Sequence, residues 1–245
     1  MRLSWGFTAK TLTASKTRES YLVPPPTTLI GALAYGYSRL HRMPELHPRQ
    51  VGSSSAEEVR RLVVSVNESV KSPLFQYADL SKIRWYYIRE KEARFDAVAL
   101  GKVYKGFSRG VGDLDVVYVV REESHMKTIA VSAHSIVRVG GSHGLVSVEN
   151  VEYGPLQCSP SETDTKTRYS FWEDLAVNVS PQDVLVQEVV DYRKASIGSY
   201  AGAPLRRRIY PYSLALLAPI EVNVKVDSRK AVICRAGEEV VIVER

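Results

Sequence analysis

The sequence predicts an α+β protein. Three observations carry this. Over residues 1–153, β-rich and helix-period stretches alternate as strand, helix, strand, insertion, strand, helix, strand. The insertion is dense in cations and aromatics. The last third, 154–245, is β-rich and has no helical pattern.

Residues 2–9 alternate, with Leu3, Trp5, Phe7 and Ala9 on one face, and predict a half-buried strand. Residues 10–20 form a polar loop carrying Lys10, Lys16 and Arg18 against Glu19, a composition suited to phosphate contacts. Pro24, Pro25 and Pro26 stiffen the run from Tyr21, because each fixes φ and removes a donor. Thr27 is placed to cap a helix whose first amides, at 27–29, offer an anion site. Leu29, Ile30, Leu33, Ala34, Tyr37 and Leu40 make its apolar stripe, and Pro44 stops it. Gly31 and Gly36 thin this helix at a cost of roughly 1 kcal/mol each, which predicts close packing against another backbone.

Ser55 and Glu58 have capping-box spacing for a short helix within 43–61, and Leu62–Val70 reads as the second strand. Lys82–Arg109 holds eight Lys/Arg and three acids, almost the whole net charge of +6. Trp85, Tyr86, Tyr87, Phe95, Tyr104 and Phe107 interleave with Arg84, Arg94, Lys102, Lys105 and Arg109. Bases stack on aromatics and phosphates pair with cations, so this pattern suits single-stranded nucleic acid. Two strand-like pieces, Arg84–Arg89 and Arg94–Tyr104, predict a long hairpin.

Leu114–Arg121 is a strong strand. Ser124 is placed to cap a second helix carrying Met126, Ile129, Ala130, Ala133, Ile136 and Val137, ended by Gly140-Gly141. Leu145–Tyr153 follows as a strand. The order is that of the ferredoxin-like split βαβ: two helices covering one face of a four-stranded antiparallel sheet. Residues 154–181 read as irregular around Phe171-Trp172, and Val184–Val190 as a strand. Arg193–Arg208 reads as a flexible loop with five cations (Arg193, Lys194, Arg206, Arg207, Arg208) and no acid. Ile220–Val226, Ala231–Arg235 and Val240–Glu244 predict a β-meander.

The 245 residues are 44% hydrophobic and 24% charged, an ordinary globular composition. No apolar run reaches the ~18 residues of a membrane span. The N-terminus has no signal-peptide pattern, and Cys158 and Cys234 have no metal-like spacing. The expectation is a cytoplasmic protein with no disulfide, no metal and no cofactor.

Two segments carry a family resemblance: Val23-Pro-Pro-Pro-Thr-Thr-Leu-Ile-Gly-Ala-Leu33, and Ile136-Val-Arg-Val-Gly-Gly-Ser-His-Gly-Leu-Val-Ser-Val148. With the element order, they resemble the CRISPR-associated Cas-five family of RAMP proteins in its archaeal type I-A form. The resemblance implies a RAMP ferredoxin-like domain at 1–153, a thumb insertion at about 71–113 and a C-terminal extension at 154–245. It implies a subunit of the Cascade interference complex that holds the 5′ handle of the crRNA. Its partners are then a neighbouring backbone subunit and the large subunit, in a hetero-oligomer without a membrane role. Carried over by position, the handle meets Lys10, Lys16, Arg18, Tyr21, Thr27, Thr28, Arg138, Gly140, Gly141, Ser142 and His143. The thumb contacts fall on Arg84, Trp85, Tyr86, Tyr87, Arg94, Lys102, Tyr104, Lys105, Phe107 and Arg109. The loop at Arg193–Arg208 is a secondary basic candidate.

One branch of this family cleaves pre-crRNA without metal, through a Tyr–Lys–His type of site. None of the five histidines lies in 10–21; His134 is placed inside the second helix, and His41 and His47 flank Pro44. Only His143, in the glycine-rich turn, is positioned for general acid–base work. The reading is binding without catalysis. A metal-independent endoribonuclease and a purely protein-binding adaptor are the alternatives.

Overall fold

The computed structural model describes residues 1–4, 6–11, 20–43, 54–87, 92–105, 112–141, 144–195 and 203–245, with backbone alone over 75–87 and 92–105. It is a mixed α/β fold with few helices and many antiparallel sheets. The central sheet joins β1 (Arg2–Leu3), β2 (Val63–Val70), β5 (Gly112–Val120) and β6 (Val146–Ser147) in the order β2-β5-β1-β6. All of its pairs are antiparallel. Between β2 and β5 the chain makes a ribbon of β3 (Leu74–Tyr87) and β4 (Glu92–Lys105), in register from Leu74↔Lys105 to Tyr87↔Glu92. The predicted hairpin is therefore present and longer than its aromatic-basic pattern. Below it, the Lys71 amide donates to Asp113 O at 3.0 Å, so β2 and β5 close without the ribbon.

The first strand is shorter than its alternation. Among the described residues the regular strand is Arg2–Leu3, with Phe7 in an isolated bridge beyond Gly6, which turns the backbone at φ 80. Leu3 and Phe7 are buried as expected, and Trp5 lies outside the described residues. The predicted strand at Leu145–Tyr153 is likewise regular only at Val146–Ser147, with Leu145 in an isolated bridge to Arg138.

Helix α1 (Pro26–His41) begins one residue before Thr27. Pro26 at the first position needs no amide partner. The amides of Thr28 and Leu29 donate to Pro25 O at 2.9 and 3.3 Å, so Thr27 is not the cap and those two amides are not free for an anion. Leu29, Ile30, Leu33, Ala34 and Tyr37 are buried, whereas Leu40 is exposed. The helix ends at Arg42 in the left-handed region, φ 53, with Met43 N bonded to Ser38 O at 3.0 Å; Pro44 is not a described residue. Gly36 is needed for packing: a Cβ there would stand 2.2 Å from Ser132 O of helix α3 (Met126–His134).

Helix α2 (Ser55–Leu62) is capped by Ser54, whose Oγ accepts from Glu57 N at 3.3 Å, one residue before the predicted box. Helix α3 stops at His134 rather than near Gly140, and Ser124 bonds Glu122 instead of capping it. Beyond Ser135 the backbone pairs in extended form, with Arg138 opposite Leu145, and this takes the groups a longer helix would use.

The C-terminal third holds more regular structure than expected. β8 (Asp164–Thr167), β10 (Ala176–Ser180) and β15 (Val222–Val226) form one sheet. β9 (Phe171–Trp172), β11 (Leu185–Val190) and β12 (Leu205–Tyr210) form another. β7 (Gln157–Ser159), β16 (Ala231–Ala236) and β17 (Glu239–Glu244) form a third. β13 (Tyr212–Ser213) pairs β14 (Ala218–Pro219). The expected meander is not formed: β16 and β17 pair, but β15 joins a different sheet. The expectation of no disulfide also fails. Cys158 and Cys234 are register partners on β7 and β16, with Cα atoms 4.0 Å apart, and are bonded across 76 residues of sequence.

The basic segment is the largest correction. Arg206, Arg207 and Arg208 lie on β12, not in a loop. Arg208 is 1% exposed and pairs with Glu68 of β2, which is 0% exposed, at 3.0 Å. Its guanidinium also donates to Ser170 Oγ at 2.8 Å and to Val66 O, and lies 4.9 Å from the Trp172 ring centroid. Arg206 bonds Asp174 at 2.7 Å and Glu244 at 2.9 Å. Arg207 pairs Glu173 at 3.0 Å, Arg193 pairs Glu244, and Lys194 lies 3.8 Å from Asp191. The main apolar core runs from Leu3 and Leu33 through Phe171 and Tyr210 to Ile242, and a smaller one gathers Val119, Tyr169, Cys234, Val241 and Val243.

Removing one partner of a buried pair strands the other charge. Arg208→Met is expected to lower unfolding stability by about 3–5 kcal/mol, read as a lower urea midpoint. The double change Glu68→Leu with Arg208→Met is expected to recover most of that loss. A single mutant with the wild-type midpoint would show that Glu68 does not depend on Arg208.

Candidate nucleic-acid interface

A groove of about 510 Å³ lies between helix α1 and the segment after α3. Thr28, Gly31, Ala32 and Tyr35 form its helical side. Val137, Arg138, Gly140 and Leu145 form the other.

Local backbone chemistry builds the second wall. Val139 N donates to Gly144 O at 2.8 Å, Gly144 N to Gly141 O at 2.9 Å and Val146 N to Val137 O at 3.0 Å, so 137–141 and 144–146 lie side by side as the two arms of a narrow hairpin. Two bonds pin it to the N-terminal segment: Gly141 N to Thr8 O at 2.9 Å and Ser4 N to Leu145 O at 3.0 Å. Gly140 has φ +75, and a Cβ there would stand 2.5 Å from Thr8 O. Glycine is required by both the dihedral and the close approach.

The first wall is positioned from the far half of the chain. Gln187 on β11 accepts from the amides of Leu22 (2.7 Å) and Val23 (3.2 Å) and donates to Val23 O at 3.3 Å. The three prolines then carry this fixed segment into α1. Tyr35 is oriented by Arg39, whose Nη1 donates to the Tyr35 hydroxyl at 3.2 Å.

Of the candidates read from the sequence, Thr28, Arg138 and Gly140 line the groove, with Gly141 beside them. Arg138 is exposed and forms no ion pair among the described residues. Thr27 is half-buried in the first turn of α1. Lys10 is exposed and faces Ser20 in an isolated bridge. Tyr21 belongs to the core; burial, and then the charge of Glu188, push its hydroxyl pKa up. Lys16, Arg18, Ser142, His143, Phe107 and Arg109 lie outside the described residues.

Arg84, Trp85, Tyr86 and Tyr87 are on β3, and Arg94, Lys102, Tyr104 and Lys105 on β4, with Trp85 opposite Arg94 and Tyr77 opposite Lys102. The acids bonded to Arg193, Lys194, Arg206, Arg207 and Arg208 neutralise the secondary basic candidate, and Arg208 does not reach solvent. Sequence reasoning missed Gly31, Ala32, Tyr35, Val137 and Leu145 as groove residues. The i, i+4 spacing of Gly31 and Tyr35 was the available signal.

His41 stacks on Tyr37 with ring centroids 4.2 Å apart, and His125 lies 3.4 Å from Glu122. His134 lies in α3 as expected, exposed at its last position. His47 and His143 are not described residues. Among the described residues no three His, Cys, Asp or Glu group as a metal site, and no helix is long and apolar enough to cross a membrane.

No protein-family model matches the chain. Over 98% of its length it is 31% identical to CRISPR-associated protein Cas5 3 of Saccharolobus solfataricus, covering 96% of that protein. The chain belongs to the Cas5 family. The CRISPR system aCascade subunit Cas5 1 of the same organism is 30% identical over the same shares of the two chains. In three dimensions this Cas5 chain is similar to a CRISPR protein from Archaeoglobus fulgidus, with TM-score 0.65, 19% identity and coverage of 100% and 97%. That likeness concerns the fold.

Gly140→Ala is expected to cost about 1–3 kcal/mol, the range for a non-glycine residue forced into strained backbone. Hydrogen exchange over 136–146 should accelerate as Gly141 N leaves Thr8 O. Unchanged exchange there would mean the hairpin does not depend on this contact.

Proposed function

We propose that this Cas5 chain is a non-catalytic crRNA-binding subunit of an archaeal type I-A Cascade complex, holding the 5′ handle in the α1–hairpin groove. The carrying observation is exposed Arg138, without an ion pair among the described residues, on a glycine-bearing hairpin facing α1. Backbone can approach a ligand closely there, and a guanidinium meets a phosphate with paired donors. The naming of a relative as an aCascade subunit supports the assembly. Binding without cleavage is the reading taken: among the described residues the lining holds no histidine and no carboxylate, and His143, the one acid–base candidate, lies outside them. General acid–base chemistry needs such a group within reach of the reacting hydroxyl.

The central sheet is read as ferredoxin-like. Its strands, taken as first to fourth in chain order, lie second-third-first-fourth, with α1 after the first and α3 after the third. The β3–β4 ribbon is read as the thumb that meets the neighbouring backbone subunit and the large subunit.

Arg138→Ala is expected to weaken binding of different single-stranded RNAs by similar factors and to make the log–log salt dependence shallower by about 0.7. Wild-type affinity and slope would remove Arg138 from the interface. For the thumb, excise Tyr77–Lys102 and join Gln76 to Val103 through an Asn-Gly turn, which suits a two-residue hairpin. The product is expected to melt within a few degrees of wild type, because the β2–β5 pairing closes beneath it. It should fail to co-elute with the other complex subunits. Normal co-elution would show that the ribbon is not the contact.

A further inference from the structure

Helix α1 contains two interior glycines with different surroundings. Gly36 is explained by packing, since any Cβ would collide with the α3 backbone. Gly31 has no such reason: it is exposed, and a Cβ built on it meets nothing within 4 Å. Glycine inside a helix costs stability relative to alanine. The missing side chain opens the groove floor instead, and at about 510 Å³ that groove is within the usual size of small-ligand sites.

The surroundings of Gly31 define the ligand. Val137 and Leu145 are 50% and 51% exposed, apolar walls left uncovered. Tyr35 adds an aromatic ring held by Arg39. Arg138 supplies a cation, and the lining contains no carboxylate among the described residues. A flat, largely apolar body attached to an anion fits this set, which is the chemistry of a nucleotide.

We propose that one nucleobase of bound single-stranded RNA lies against helix α1 at Gly31, walled by Tyr35 and Leu145, with its phosphate at Arg138. The inference rests on the RNA-binding reading of the groove and adds the base seat and its determinant, Gly31. A larger side chain at this position fills the seat without disturbing the fold.

The test uses the full-length protein and the repeat-derived 5′ segment of the host's crRNA, intact and as a series with one abasic position each. Gly31→Ala should raise the melting temperature by about 2–4 °C. Gly31→Leu should stay folded and bind intact RNA at least tenfold more weakly. One abasic position should erase that difference, because it carries no base to exclude. If Gly31→Leu binds like wild type while Arg138→Ala is weaker, the groove binds RNA but the base seat is overturned. If no abasic position removes the Gly31→Leu defect, the base seat is likewise overturned. If neither substitution changes binding, or the wild type does not bind, the RNA reading fails and the seat with it.

Discussion

The buried pair of Glu68 and Arg208 is the interaction on which the rest of the structure depends. One carboxylate from the central sheet and one guanidinium from β12 meet where neither reaches water. Desolvating two charges is costly, and such a pair persists only when its remaining donors and acceptors are satisfied. Here Ser170 bridges both partners: its Oγ accepts from Arg208 and from Glu68 N, and its amide donates to Glu68 O. Asn67 extends the network to Ser170 O and Ile242 O. Burial, followed by the Glu68 charge, pushes the Tyr118 and Tyr210 hydroxyls up, so these tyrosines stay protonated neighbours. The C-terminal sheets are thereby locked to the strand that anchors the first half of the chain.

The groove inherits its geometry from that lock. β12 pairs with β11, and Gln187 on β11 holds Leu22 and Val23 by their backbone. Three prolines transmit this position to α1 with little rotational freedom. The opposite wall is fixed independently, by Thr8 and Ser4 against the glycine hairpin. Both walls are set by hydrogen bonds to their backbone, from the Gln187 side chain on one side and from Ser4 and Thr8 on the other, so the exposed side chains between them are not needed to hold the walls.

Much of this was legible in the sequence where the signal is local and periodic. The apolar stripe of α1, the strands β2 and β5 and the charged ribbon could be read directly, whereas Arg138 and its glycines entered as site residues only through the family resemblance. The losses have physical causes. One φ of 80 at Gly6 cuts a strand whose alternation runs on. Strands of two to five residues, as in β7–β10, are too short to show a period. Arg206, Arg207 and Arg208 read as a loop because their acids, Glu173, Asp174, Glu244 and Glu68, lie far away in sequence. The Cys158–Cys234 bond and the openness of Gly31 depend on which strands and helices come together, and no spacing rule encodes that.

The central claim is that RNA lies between α1 and the glycine hairpin. Ultraviolet cross-linking of bound single-stranded RNA, with the modified peptides mapped by mass spectrometry, tests it most directly. The account predicts adducts within Pro26–His41, at Tyr35 foremost, and within 136–146. Adducts confined to β12 and its neighbours, with none on those two segments, would contradict it.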